Sequence, residues 1–339
     1  MSIVQRLRIG ALLAAASALS FGCAHRPAVT FDSTRAPLTV QRPALYPETI
    51  QYSEQNDKFL LSSFREGAIF EVDQAGKASL LVDDPRLCSV LGIAVDASRQ
   101  QLWAVTADLG ASVKPSTAGP KKLAGVGVYD LNTGKPIRYV DLAPLAEGPH
   151  LLNGIALDAH GNAFITDSFA PVIYKVTPGG QTSIFLKDAR FAGSAINLNG
   201  LVVHPDGYLL VLKKSDGALY KVPLDRPSAF SRVLAEQAFV GADGLTFVNE
   251  GTLVVIANRT PEHSANTAYA LVSSDGWLSA KVSAVQALGD FYPTTAALRN
   301  GILYVVQSKL NQLIAAPKEQ KAHLQERATI RAIGRVANQ

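Results

Sequence analysis

Glu48, Asn153, Asn199 and Asp243 are the residues of this sequence whose types and spacing could do chemistry. Three of them are followed by glycine, as Asn153-Gly154, Asn199-Gly200 and Asp243-Gly244, and the next residues are a short apolar run. Two carboxylates and two amide carbonyls brought to one point would form a hard-cation cage. That cage suits Ca2+, with water or substrate in the remaining positions. Mg2+, Mn2+ or Zn2+ are alternatives, zinc less favoured because no histidine stands at these positions. The competing reading is that Asn-Gly and Asp-Gly are turn dipeptides that tolerate positive φ. Asp206-Gly207, Asp216-Gly217 and Asp275-Gly276 are read as such turns. Phase separates the two readings, because the first set recurs at one position of a repeat.

That repeat is clearest from Leu152 to Val176. Asn153-Gly154 leads into Ile155-Ala-Leu157, a turn at Asp158–Gly161, a second run Ala163–Thr166, another turn, and Val172–Val176. Short alternating or apolar runs between polar turns are antiparallel strands. The unit returns from Asn199 and from Asp243. Less regular copies begin at Glu48, near Leu91 and near Thr294. The openers stand at 48, 91, 153, 199, 243 and 294, at spacings of 43, 62, 46, 44 and 51. The long interval holds an insertion, Ala107 to Gly125, read as a lid, a binding loop or a tolerated surface excursion. Strand units repeating every ~40–50 residues predict an all-β, six-bladed β-propeller with four-stranded antiparallel blades. In repeat six the strands are expected at Ala296–Leu298, Ile302–Val306 and Gln312–Ala316, with the tail from Ala328 to Val336 outermost. First strands of propeller blades line the central channel, so the openers should meet at one mouth of it.

Other residues join them there as candidates. His150, three residues before Asn153, is a candidate acid or base, the alternative being a solvated loop histidine. Of Lys213 and Lys214, one could face the channel and bind an acidic group, unless both are solvated. Tyr292 is a candidate pocket wall. The sequence has no G-x-S-x-G elbow, P-loop or HExxH, which argues against a serine hydrolase.

The chain also carries an address. Arg6 and Arg8 precede an apolar stretch, Ile9 to Phe21, shorter than the ~20 residues that a membrane span needs. Residues 1–22 are read as a signal peptide. Gly22-Cys23 resembles a lipoprotein processing site, although Ser20 stands where a large aliphatic residue is usual. Cys23 is thus a candidate lipid anchor, and the expected location is exported, either periplasmic or membrane-anchored. Residues 23–44, rich in proline, are read as a linker with a candidate ring-closing strand at Leu38–Val40, and residues 45–339 as the propeller. Net charge is +4; removal of Arg6 and Arg8 with the signal segment leaves +2, which gives no electrostatic case for nucleic acid. The only cysteines are Cys23 and Cys88, so no disulfide framework or cysteine metal site is expected. A monomer is expected.

Over about residues 45–316 the pattern resembles the senescence-marker-protein/gluconolactonase (regucalcin-like) propellers, with wider similarity to paraoxonases, diisopropyl-fluorophosphatase and strictosidine-synthase-like proteins. The resemblance rests on Glu48 with Phe59-Leu-Leu and Ile69–Asp73 in register, on Asn153-Gly154, on Ala242-Asp243-Gly244, and on Asn199 as the second asparagine of the fluorophosphatase-like branch. It implies that Glu48, Asn153, Asn199 and Asp243 hold a catalytic divalent cation, Ca2+ or another, and that Asp243 is also base or nucleophile in hydrolysis of a small lactone or ester. Two departures stand out. Thr49-Ile50 follows Glu48 in place of Gly-Pro, and Leu91-Gly92 opens repeat two where sugar lactonases carry Arg and Asn, which argues against a gluconolactone-like substrate. The reading from another class is a non-enzymatic propeller that binds a ligand or protein at the same mouth.

Overall fold

The computed structural model describes residues 29–32, 35–261, 263, 265–321 and 323–336. The signal segment and Cys23 lie outside the described residues. Six sheets, antiparallel but for one pair of strands, follow one another along the chain. Blade one is Ile50–Ser53, Lys58–Ser63, Ala68–Val72 and Ala78–Asp83; blade three is Leu152–Leu157, Ala163–Asp167, Val172–Val176 and Thr182–Lys187. Blades two and four run in the same inner-to-outer order. Blade five gains a fifth strand, because Leu234–Ala235 leaves blade four and pairs in parallel with Ser279–Ala287.

Side-chain alternation explains why the second strands read as unbroken apolar runs. In Tyr208–Lys213, Leu209 and Val211 pack toward blade three, while Tyr208, Leu210 and Leu212 pack toward blade five. Both faces of the strand are therefore core. Every neighbouring pair of blades shares such a cluster, and Trp103, Val126, Ile165 and Tyr174 belong to the one between blades two and three. The outer strands meet water and alternate, as Ser279–Ala287 does.

Blade six departs from expectation. Gln312–Ala316 is not a strand: Leu310–Ala315 is an α-helix. Leu310, Leu313 and Ile314 are spaced three and four apart, the helical period, and Leu310 and Leu313 are buried in the cluster shared by blades two and three. The third strand is instead Arg327–Val336, paired with Ile302–Gln307. Outside it the N-terminal strands Val29–Phe31 and Leu38–Pro43 pair antiparallel with that strand, so blade six takes strands from both ends of the chain.

The turn glycines behave as read. Gly207, Gly217 and Gly276 have φ of 82°, 67° and 68°, in the left-handed region. Gly154, Gly200 and Gly244 do not have positive φ, so the opener dipeptides are not left-handed turns.

Candidate functional site

The openers sit at kinks in the inner strands. Pairing slips between Val90 and Ile93, Leu152 and Ile155, Leu198 and Leu201, Ala242 and Gly244, and Pro293 and Ala296. A bulge adds a residue on one strand and re-aims its side chain, and here it occurs at the opener of five blades. In blade one, the Glu48 and Thr49 amides donate to Ser62 Oγ at 3.2 and 2.8 Å.

The glycine after the opener serves close approach. A Cβ on Gly92 would lie 2.3 Å from the Asn153 carbonyl oxygen, on Gly154 2.5 Å from that of Asn199, on Gly200 2.5 Å from that of Asp243, and on Gly244 2.6 Å from that of Thr294. In blades two to five the glycine thus accepts the next blade's opener against its own backbone. Thr295 joins blade six to blade one: its Oγ1 accepts from the Ile50 amide at 2.9 Å and donates to the Glu48 carbonyl at 3.2 Å.

The result is one mouth. Glu48, Leu91, Asn153, Asn199, Asp243 and Thr294 all line a single cavity of about 70 Å3, with Lys214 and Tyr292. Each of the six is nearly inaccessible to solvent. Phe64, Leu109, Leu151 and Ile196 form the walls, and Leu310 and Ile314 of the short helix contribute to its closure. Leu109 belongs to the Ala107–Gly125 insertion, whose Ser112 Oγ donates to the carbonyls of Arg65 and Cys88, 2.9 and 2.6 Å away. The insertion is thus tied down beside the mouth. A larger cavity, about 330 Å3, lies among the inner strands and is lined by Ile155–Leu157, Leu201–Val203 and their counterparts; it contains no carboxylate, amine or imidazole.

Hydrogen bonds define the site's polarity. Asp243 Oδ2 accepts from Lys214 Nζ at 3.0 Å and from Asn258 Nδ2. Lys214 Nζ also donates to Asn258 Oδ1 at 2.5 Å. Glu48 Oε2 accepts from Thr49 Oγ1 at 3.0 Å, and Asn153 Nδ2 donates to Ser168 Oγ at 3.2 Å. Among the described residues the buried Thr294 Oγ1 has no hydrogen-bond partner. Burial, together with the Asp243 charge, pushes the Glu48 carboxyl up to about 8, against the opposing pull of Thr49 and Lys214. Burial also raises the Tyr292 phenol, with Asp243 and Glu48 acting in the same direction. Two acids and one ammonium share a buried pocket, and the acid without its own cation is driven toward its neutral form.

Lys214 and Asn258 reach this place by a backbone relay. The Lys214 amide donates to the Asn197 carbonyl at 2.8 Å, Gly241 to that of Lys214 at 3.1 Å, and Asn258 to that of Gly241 at 3.0 Å. Sequence reading missed Asn258 and left Lys214 undecided against Lys213, whose Nζ pairs with Asp216 at 2.9 Å. A usable signal exists. Ser168, Lys214 and Asn258 each stand 15 residues after their openers Asn153, Asn199 and Asp243, at the end of the second strand.

His150 is placed elsewhere. Its Nδ1 lies 2.8 Å from Asp167 Oδ2. That bond raises its pKa above the usual histidine value, with the Ala146 and Ala143 backbone adding to the rise. Asp167 Oδ1 in turn accepts from the Leu151, Phe169 and Ala170 amides. His150 does not line the cavity; it ties the segment before Asn153 to the end of the blade's second strand.

Solved structures share this architecture. The major allergen Mala s 1 of Malassezia sympodialis superposes with a TM-score of 0.69 at 19% identity, over 88% of this chain and 96% of the other. The fold is that of a known class of propeller. A luciferin-regenerating enzyme matches with TM-score 0.59 at 14% identity, over 89% and 98% of the two chains. A candidate gluconolactonase matches with TM-score 0.56 at 14% identity, over 91% and 100%. At these identities the likeness is one of fold alone. No protein-family model and no curated protein sequence matches the chain.

Proposed function

We propose that the mouth hydrolyses a small, largely apolar ester or lactone, with a divalent cation, Ca2+ or a similar hard ion, held by Glu48, Asn153, Asn199 and Asp243. The observation that supports this most is that all six openers, two acids and two amides among them, line one cavity. The donor set fits a hard cation. Glu48 is a buried acid with no cation of its own, and Thr294 Oγ1 is a buried orphan. Buried polar groups of this kind call for a polar guest. Among the described residues no group of three or more His, Cys, Asp or Glu side chains is assembled, so a bound ion would depend on the two amides.

When bound, such an ion supplies polarisation of the substrate carbonyl and stabilises the developing oxyanion. The chain's own residues supply the rest. Asp243, whose Oδ2 accepts from Lys214 and Asn258 in this structure, is the carboxylate that takes the proton of an attacking water. Phe64, Leu109, Leu151 and Ile196 offer an apolar acyl or ring group its contacts and exclude bulk water, whereas a polyhydroxylated sugar would find few partners there. The cavity is smaller than the ~300 Å3 typical of a ligand pocket, so substrate entry requires the Leu310–Ala315 helix or the insertion to give way.

The test is turnover of a panel of aliphatic lactones and aryl esters, with Ca2+ and with chelator, by the wild type and Asp243→Asn. Expected is chelator-sensitive turnover of the apolar members that falls at least ~100-fold in the variant. No turnover across the panel would favour the second reading, a binding propeller. That reading draws support from the small cavity and from the Lys214–Asp243 ion pair.

A further inference from the structure

The mouth already contains a cation of its own. Lys214 Nζ lies within 3.5 Å of three oxygens, Asn258 Oδ1, Asp243 Oδ2 and the Gly241 carbonyl. Its backbone is fixed on both sides, with the amide on Asn197 O and the carbonyl accepting from Gly241 N, so the chain delivers the side chain to this spot by construction. The Gly241 turn is equally specific: φ is 83°, and a Cβ there would lie 2.2 Å from the Asn258 carbonyl oxygen. The adjacent Lys213 is committed to Asp216, so Lys214 is the lysine that serves the mouth.

We propose that Lys214 is a tethered competitor for the divalent ion: its ammonium occupies the cation's place at Asp243, and an ion enters the cage only by displacing it. The inference rests on the reading that the openers take a divalent cation. A hard ion bonds carboxylate oxygen at ~2.3–2.6 Å, and an ammonium on the same carboxylate is a like charge only a few ångströms away in a poorly screened pocket. Both cannot hold Asp243 fully. A lysine has a long, flexible stem and a single point charge, so it can swing aside, whereas the openers are fixed by bulges and close glycine contacts. Asn258 takes part in the exchange, because its amide bridges Lys214 and Asp243.

The experiment is calorimetric titration of Ca2+ into the chelator-treated full chain at one fixed pH, comparing wild type with Lys214→Met and Lys214→Gln. The methionine removes the charge at similar length. The glutamine keeps a neutral donor for Asp243 and decides the matter if the methionine variant does not fold. Expected is Ca2+ binding at least ~10-fold tighter in the folded variants than in the wild type. Equal or weaker binding in the variants would overturn the proposal while leaving the opener cage standing. No binding in any of the three proteins would overturn the proposal and the cage together.

Discussion

Glu48 is the residue at which burial and charge conflict most directly. Its carboxyl is raised from an ordinary 4.5 to about 8 by burial and by Asp243. An acid raised by folding stabilises the fold below its ordinary pKa and loses that contribution as pH climbs through the raised value. Metal-free protein should therefore lose stability between about pH 5 and pH 8. His150, raised by Asp167, contributes a loss of the same sign above its ordinary value, so the test is a difference. Denaturant midpoints of Glu48→Gln should fall less steeply across that window than those of the wild type; parallel curves would show that Glu48 is not strained. Asp243 makes a second test. Asp243→Asn strands the mostly buried Lys214 ammonium and should cost about 3 kcal/mol. Adding Lys214→Met should recover at least ~1 kcal/mol of that in a double-mutant cycle of unfolding free energies. The openers were legible in the sequence because they repeat in phase. Lys214 could not be told from Lys213, because adjacent residues at a strand end face opposite ways; it continues the face of Tyr208, Leu210 and Leu212, which packs toward blade five.

Among the elements, the inner strand with its bulge and glycine recurs in blades two to five. The Asn-Gly and Asp-Gly pairs looked ambiguous in sequence because glycine serves both positive φ and close packing, and only the backbone distinguishes them. Gly200→Ala should place a methyl against the Asp243 carbonyl, 2.5 Å away, and destabilise by about 2–3 kcal/mol. Gly207→Ala, at φ 82° with open space around it, should cost only about 1 kcal/mol of backbone strain. Urea unfolding of the two variants would rank them; the reverse order would mean that the ring tolerates slack at its axis. Leu310–Ala315 shows where pattern reading failed. A short stretch such as Gln312–Ala316, with four apolar residues after its glutamine, fits strand or helix equally well, and its fate was set by distant partners: Arg327–Val336 takes the third place in blade six, freeing the segment to pack over the mouth.

For the molecule as a whole, a propeller holds its site only if the ring is closed, since the openers belong to different blades and meet only at the axis. Closure here depends on blade six, where Arg327–Val336 lies between Ile302–Gln307 and the two N-terminal strands. Val40 is fully buried in the cluster that joins blade six to blade one, and Val29 is buried in the cluster between blades five and six. A chain that begins at residue 44 would lose both and leave Arg327–Val336 with an unpaired edge, open to association with other chains. Removing two buried valines costs about 3–6 kcal/mol by transfer alone, which for a domain of this size lowers the melting temperature by roughly 5–15 °C. A synthetic peptide spanning residues 29–43, added in excess, should restore much of the loss by pairing with the exposed edge, the gain rising with the logarithm of its concentration. Differential scanning calorimetry of the shortened chain, with and without the peptide, reads both effects. An unchanged melting temperature would mean that blades one and six hold the ring through Thr295, Glu48 and their own cores without help from the N-terminal strands, and the openers would then owe their convergence to the axis alone.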